Sequence, residues 1–352
     1  MLKVLGLENE SEWLGIVKGF QNHDVYHLPQ YTKAFHLHGD GDPMLFYYQT
    51  GHTQAINVVF KRDIARCSQF AGAIPADTYF DISTPYGYGG FLIEGETSES
   101  AIAKLNDAYT EYCISSGIIS EFVRFHPLLN NHLGLAPMYE IIGMGPTVYL
   151  DLSSPEVIES NIYRKTRNRI RKAQAGGVTV LSGNSAELYT LFQEMYNETM
   201  RRNDAQPYYF FEKSFYDSLC TDMKDNALIF YAVCQEEIIS MEILLLCRNW
   251  MHAHLQGMRY EYRPWAPGAL LTYEEALWGN ERGMERLHLG GGLGSKEDGI
   301  YKHKYYFNMN ADSRFYTGRK IFDPEKYVFL QRLRGQAAAD VQSPGFFPAY
   351  RA

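Results

Sequence analysis

Leu287-His288-Leu289-Gly290-Gly291-Gly292, followed within a dozen residues by Asp298-Gly299-Ile300-Tyr301-Lys302-His303-Lys304, is the stretch that decides the fold. A buried strand runs into three glycines, then a polar turn, then an aromatic segment studded with cations. Glycines in a row let backbone approach a ligand closely, because no side chain stands in the way. Upstream, Trp265-Ala266-Pro267-Gly268-Ala269-Leu270-Leu271 reads as a loop opening into a helix, with its first N–H groups free to face a phosphate. That helix is expected from about Gly268 to Arg282, ahead of a strand from Arg286 to Leu289. Pro267, Gly268, Ala269, Leu270, Gly291 and Gly292 are therefore the candidate residues for gripping a phosphorylated carrier.

Working outward, Ala227–Val233, Ile238–Leu246 and Met251–Met258 read as a three-strand meander, with turns at Gln235-Glu236-Glu237 and Arg248-Asn249-Trp250. Before it, Thr147–Leu152 is a strand. Ser154-Pro155-Glu156 starts a helix that Gly176-Gly177 ends. Asn184-x-x-Glu187 resembles a capping box for a helix running to about Arg202, and Glu212–Met223 is a further helix. The first half has a similar order. A helix from Ser11 to Phe20 precedes strands Leu45–Gln49 and Gln54–Phe60, joined by the hairpin signal Thr50-Gly51-His52-Thr53. The glycine-rich segment Asp81–Gly90 follows, then a helix from Ser98 to Ser116 and the strand Glu121–Phe125. Two copies of one α/β unit are expected, at 1–150 and 151–320. A last helix near 320–335 is free to pack back on the first unit, and 336–352 reads as a tail.

At 352 residues the chain exceeds the usual size of a single core, which agrees with two domains. Net charge is −8, which argues against non-specific coating of nucleic acid while leaving room for a local basic patch that holds a phosphorylated ligand. The five cysteines are scattered, with no C-x-x-C pair, so neither a disulfide scaffold nor a zinc site is expected, and a reducing, cytoplasmic compartment is favoured. No stretch reaches membrane-spanning length.

Thr84-Pro85-Tyr86-Gly87-Tyr88-Gly89-Gly90, the basic segment Tyr163–Ala173, Met200-Arg201-Arg202-Asn203-Asp204-Ala205 with Tyr208-Tyr209-Phe210, and the closing Leu289–Gly292…Asp298–Tyr301 together resemble one branch of the GNAT superfamily. That branch holds Fem-type peptidyltransferases and BioF-like acetyltransferases, and the likeness runs in order over roughly residues 25 to 330. The resemblance implies two tandem GNAT-like domains of α/β (α+β) class, with mixed, largely antiparallel sheets and an interdomain cleft. It also implies an N-acyltransferase moving an acyl or aminoacyl group to an amine, on a peptidoglycan precursor or another small amine. The donor would be acyl-CoA or aminoacyl-tRNA, with no tightly bound cofactor. The long helical hairpin that some peptidyltransferases insert into the second domain is absent, so its tRNA contacts are not carried over. The competing class is a binding protein for a nucleotide-sugar or peptide on the same fold.

Six cations fall within nine residues of the basic segment. On a helix Arg164, Arg167 and Arg171 share one face, and Lys165, Arg169 and Lys172 another. One face suits bidentate clamping of phosphate, against the plainer reading of a solvated helix. Tyr86 and Tyr88, in a glycine-flexed loop, and Tyr208 and Tyr209, after Pro207, are candidate substrate contacts. Arg201 is a candidate partner for a carboxylate, and Tyr301 and Lys304 are candidates to face the same site. Acyl transfer needs a deprotonated amine, a polarised carbonyl and a proton route. Candidate bases are His254, Glu242 and Asp298. His252 and His254 alternate on one strand, but no third metal ligand is evident, and no metal is expected. Glu242 lies in an apolar run, where burial raises a carboxyl towards the useful range. Asp298 also fits the simpler role of fixing its turn.

Overall fold

A computed structural model describes residues 1–335 and 345–352, and the chain divides into two units, Met1–Met144 with Phe315–Ala352 and Gly145–Arg314. In chain order the first contains β1 (Leu2–Leu5), α1 (Glu10–Gly19), α2 (Pro29–His38), β2 (Asp42–Thr50), β3 (Thr53–Asp63), β4 (Phe80–Ser83), β5 (Leu92–Gly95), α3 (Glu99–Ser115), β6 (Ile118–Arg124) and β7 (Glu140–Pro146). The second contains β8 (Val148–Asp151), α4 (Pro155–Asn161), α5 (Arg164–Ala175), β9 (Thr179–Gly183), α6 (Ala186–Arg202), α7 (Lys213–Thr221), β10 (Ala227–Cys234), β11 (Glu237–Cys247), β12 (Trp250–Met258), α8 (Pro267–Glu281), β13 (Arg286–Gly290) and α9 (Gly299–Tyr305). β14 (Arg314–Ile321) and α10 (Pro324–Leu333) then complete the first unit.

The first sheet runs β1-β2-β3-β4-β6-β14-β7, with β5 also on β3, and the second runs β8-β13-β12-β11-β10-β9. Each contains a parallel junction, β4 with β6 and β12 with β13, beside antiparallel meanders. In both units a helix, α3 or α8, connects into the strand that closes this junction. The expected fold class of mixed, largely antiparallel sheets is therefore observed.

The meander of the second unit forms because its turns demand it. Gln235 and Glu236 both take positive φ (52° and 65°), as a two-residue hairpin turn requires. β11 is almost wholly apolar because helices cover both faces of the sheet: α8 packs on β10 and β11, and α6 on β11 and β12. Leu270 and Leu271 of α8 are at most 1% exposed, and burial of each such side chain contributes about 1.5–3 kcal/mol.

Two local readings need correction. The single helix expected from Ser154 to Gly176 is two helices, broken at Ile162 and Tyr163, which are extended. Tertiary contacts hold the break: Tyr163 N–H donates to Tyr306 O (2.8 Å), and the two rings stack at 5.0 Å. The cap of α6 is Ser185, whose side chain accepts from Leu188 N, while Asn184 turns away to Lys224 O. Of the expected tail, 336–344 lies outside the described residues. Residues 345–352 pack into the first unit, where Tyr350 is fully buried.

Candidate functional site

In the second unit, the chain between β12 and α8 makes a short 3₁₀ turn over Tyr260–Trp265 and enters the helix through Ala266, which takes the left-handed conformation (φ 50°, ψ 47°). Pro267 is the first helical residue, and no side chain caps this helix. Proline suits that position because its missing N–H has no helical partner to lose. The turn is tied to the basic helix α5. Lys172 Nζ donates to Pro264 O (2.9 Å), and the Trp265 ring lies so close over Gly176 that a Cβ there would come within 2.4 Å of it. Between the turn, the helix start and α5 lies a cavity of about 510 Å³, lined by Arg169, Lys172, Arg263, His303, Gln256, Met258, Pro264, Ala266, Gly268 and Ala269. Three permanent cations therefore ring the head of α8, where helix N–H groups already favour an anion. Burial lowers the His303 pKa, helped by the charges of Arg169 and Lys304.

Behind the cavity wall lies a dry polar group. Gln256 faces Glu242 across the β11–β12 ladder, and its Nε2 donates to Glu242 Oε2 (3.1 Å). Desolvation pushes the Glu242 carboxyl up to about 7, opposed by the charge of Lys304 and the bond from Gln256. Glu275, on the inner face of α8, has no exposed surface; desolvation and the charge of Glu242 hold its carboxyl well above the usual range. Lys304 donates to Gly291 O (2.9 Å), and burial lowers its pKa against the pull of Glu242 and Asp298. A carboxyl titrating near neutrality beside a cavity is suited to accept a proton.

The β12 strand is irregular here. His254 is the extra residue where the β11–β12 register shifts. Parallel pairing of β12 with β13 ends at His252↔His288, although β12 runs on to Met258 and β13 to Gly290. Burial, reinforced by His252, brings the His254 pKa down to about 3, so the ring is neutral at neutral pH and is a weaker base than Glu242.

The other candidates are dispersed. Asp298 caps α9, accepting from Tyr301 N and Leu293 N, and these bonds draw its carboxyl down. A Cβ on Gly291 would lie 2.9 Å from Pro146 O and one on Gly292 2.0 Å from Lys296 O, so the chain's own backbone fills the space both glycines leave. Pro267 and Leu270 are buried beneath the helix head, leaving Gly268 and Ala269 on the cavity. Tyr301 is buried and stacks with Tyr305. On α5 the cavity takes Arg169 and Lys172; Arg164, Arg167 and Arg171 lie outside its lining, and Arg167 donates to Glu159 O (3.0 Å). Arg201 is exposed in the last turn of α6, and Tyr208 and Tyr209 pack edge to face on a 3₁₀ turn. In the first unit, Tyr86 stacks on Phe35 and Tyr88 packs edge-on to Tyr26, so that loop is packed by rings. Gln256, Arg263, Glu275 and His303 were not anticipated from the sequence.

Residues 160–304 match the family model of the acetyltransferase (GNAT) domain, a span that contains the cavity and all four polar residues behind it. No curated protein sequence matches the chain. Among solved structures, FemX superposes with a TM-score of 0.66 at 13% identity, covering 92% of this chain and 98% of that one. L-PGS from Bacillus licheniformis gives 0.57 at 13% identity over 95% and 99%, and a tandem GNAT protein from the clavulanic acid biosynthesis pathway gives 0.50 at 11% over 92% and 99%. The fold is thus the one these tandem structures share, with the match to the acetyltransferase (GNAT) domain falling in the second unit. Among the described residues no helix is long and apolar enough to cross a membrane.

Proposed function

We propose that the protein is an N-acyltransferase whose second unit binds a phosphorylated acyl or aminoacyl carrier, acyl-CoA or aminoacyl-tRNA, at the head of α8. One observation carries this reading: the cavity at that helix start is lined by Arg169, Lys172, Arg263 and His303, and its wall residue Gln256 bonds to a carboxyl poised near neutrality. The acceptor is an amine, of the peptidoglycan-precursor class or another small amine, and the reaction belongs to the cytoplasm. Its nitrogen attacks the acyl carbon, a C–N bond forms, and the C–S or C–O bond to the carrier breaks. Glu242 takes the proton the amine sheds and returns it to the departing thiol or hydroxyl. Lys304, beside Glu242, keeps enough charge on that carboxyl for it to accept a proton. Asp298, fully engaged as a cap, has the structural part.

Isothermal titration with acetyl-CoA and, separately, with aminoacyl-tRNA tests the reading. Saturable binding of one donor, followed by acyl transfer to an amine in a mass-spectrometric assay, is expected. Binding without turnover would favour a non-catalytic binding protein. Absence of binding by both donors would remove the proposal.

A further inference from the structure

The buried carboxyl of Glu275 has no part in the reaction as described so far, and it ought not to be there. It sits on the inner face of α8, four residues after Leu271 and four before Gly279, both part of the same buried face. It has no exposed surface, and neither of its oxygens has a hydrogen-bond donor among the described residues. An ionised carboxylate in that position would face a desolvation cost with nothing to offset it. Its ionisable neighbour is Glu242, which by contrast has two stabilising partners, Gln256 from β12 and the Lys304 ammonium from α9. Across the β10 ladder Glu242 faces only Phe230. Two carboxyls side by side, one with donors and one with none, divide their roles: the charge resides where the donors are and the proton where they are absent.

We infer that Glu275 is a positioning residue, a permanently protonated acid that donates its proton in a hydrogen bond to Glu242 and so holds Glu242 in place as a carboxylate able to accept the acceptor amine's proton. The inference rests on Glu242 being the base. It makes Glu275 a fixed donor: its proton stays on its own oxygen throughout the cycle, because the side chain has no exposed surface. One Glu242 oxygen is held by Gln256, the Glu275 hydroxyl fixes the carboxylate from the helix side, and a lone pair remains for the amine. The predicted behaviour of substitutions follows from the sign of each contact. A donor to the charged form of Glu242 lowers the pH at which it becomes active; a neighbouring negative charge would raise it.

Two measurements test this. In acyl-transfer assays across pH, Glu275→Leu should move the acid limb of kcat/KM up by about one pH unit, because Glu242 loses a donor. Glu275→Gln keeps an N–H donor and should leave the limb where the wild type has it. If Glu275 is instead ionised, both variants remove a like charge, both limbs move down, and the inference fails. The second measurement does not depend on turnover. Infrared difference spectra of wild type minus Glu275→Gln at pH 8 should contain the C=O stretch of a protonated, buried carboxylic acid, and this band should persist in Glu242→Gln. Glu121, a second buried carboxyl in the first unit, cancels in the difference. Absence of the band overturns the inference even if acyl transfer is found. Failure to find any acyl transfer would remove the catalytic reading while leaving the band to decide the protonation state.

Discussion

Arg169→Ala separates a specific donor site from a merely basic surface. Arg169 and Arg164 lie five residues, about 1.4 turns, apart on α5, and both are exposed, but only Arg169 lines the cavity at the head of α8. A charge-assisted hydrogen bond to phosphate contributes about 1.5–3 kcal/mol, and solvent competition at an exposed guanidinium places Arg169 at the lower end. At about 1.4 kcal/mol per tenfold, donor Kd should rise roughly tenfold in Arg169→Ala. Arg164→Ala removes the same charge outside the lining, where salt screens it over about 8 Å, and Kd should change less than about twofold. Neither side chain has a packing role, so both variants should melt with the wild type to within about 0.5 kcal/mol of stability. Titration calorimetry with whichever donor saturates, at two salt concentrations, reads the difference. Equal losses in the two variants would mean that α5 attracts the carrier only by its overall charge, and the cavity would not be the donor site.

Glu242→Gln should lower kcat by about 10²–10⁴-fold. The same change should raise thermal stability at pH 8. A carboxyl moved from 4.5 in the unfolded chain to about 7 in the folded one favours the native state fully below pH 4.5 and progressively less as pH rises through 7. Removing that titration returns on the order of 3 kcal/mol at high pH and nothing at pH 4, which melting curves at the two pH values will read. Asp298→Ala should lower the melting temperature, since α9 loses its cap, yet leave the pH profile of kcat/KM unmoved; a shifted profile would make Asp298 the base. Gly292→Ala should destabilise by about 1–3 kcal/mol, because the added methyl meets Lys296 O at 2.0 Å. Gly268→Ala, whose methyl would rest 3.5 Å from Gln256 Nε2, should keep its melting temperature and lose donor affinity instead.

Much of the second unit is legible in the chain because its signals are local. Alternating or continuous apolar runs with tight turns mark β10–β12, and the proline at 267 marks the start of α8. What escapes is set at a distance. Arg314–Ile321 becomes β14 between β6 and β7, strands laid down more than 160 residues earlier, and nothing in its own pattern names those partners. The break at Ile162–Tyr163 depends on Tyr306. Periodicity divides the six cations of α5 into two faces, but only the position of the Tyr260–Trp265 turn selects the face with Arg169 and Lys172. Glu275 is the exception, since a 3–4 spacing count along Leu271, Thr272, Ala276 and Gly279 places it among apolar neighbours without any structure. Gly291 and Gly292, expected to let backbone approach a ligand, are instead approached by the chain's own backbone.

Tyr350 and Arg351 belong to the interior of the first unit. Asp81 has no exposed surface and is held by Arg62 (2.7 Å), by the Tyr350 hydroxyl (3.2 Å) and by the Arg351 guanidinium. A variant cut back to Pro348 would lack a ring from the interior and leave a sealed anion with half its neutralising charge, a change on the scale of about 3–5 kcal/mol. Removing those two side chains would therefore act like a core mutation, and the first unit would be lost from the inside.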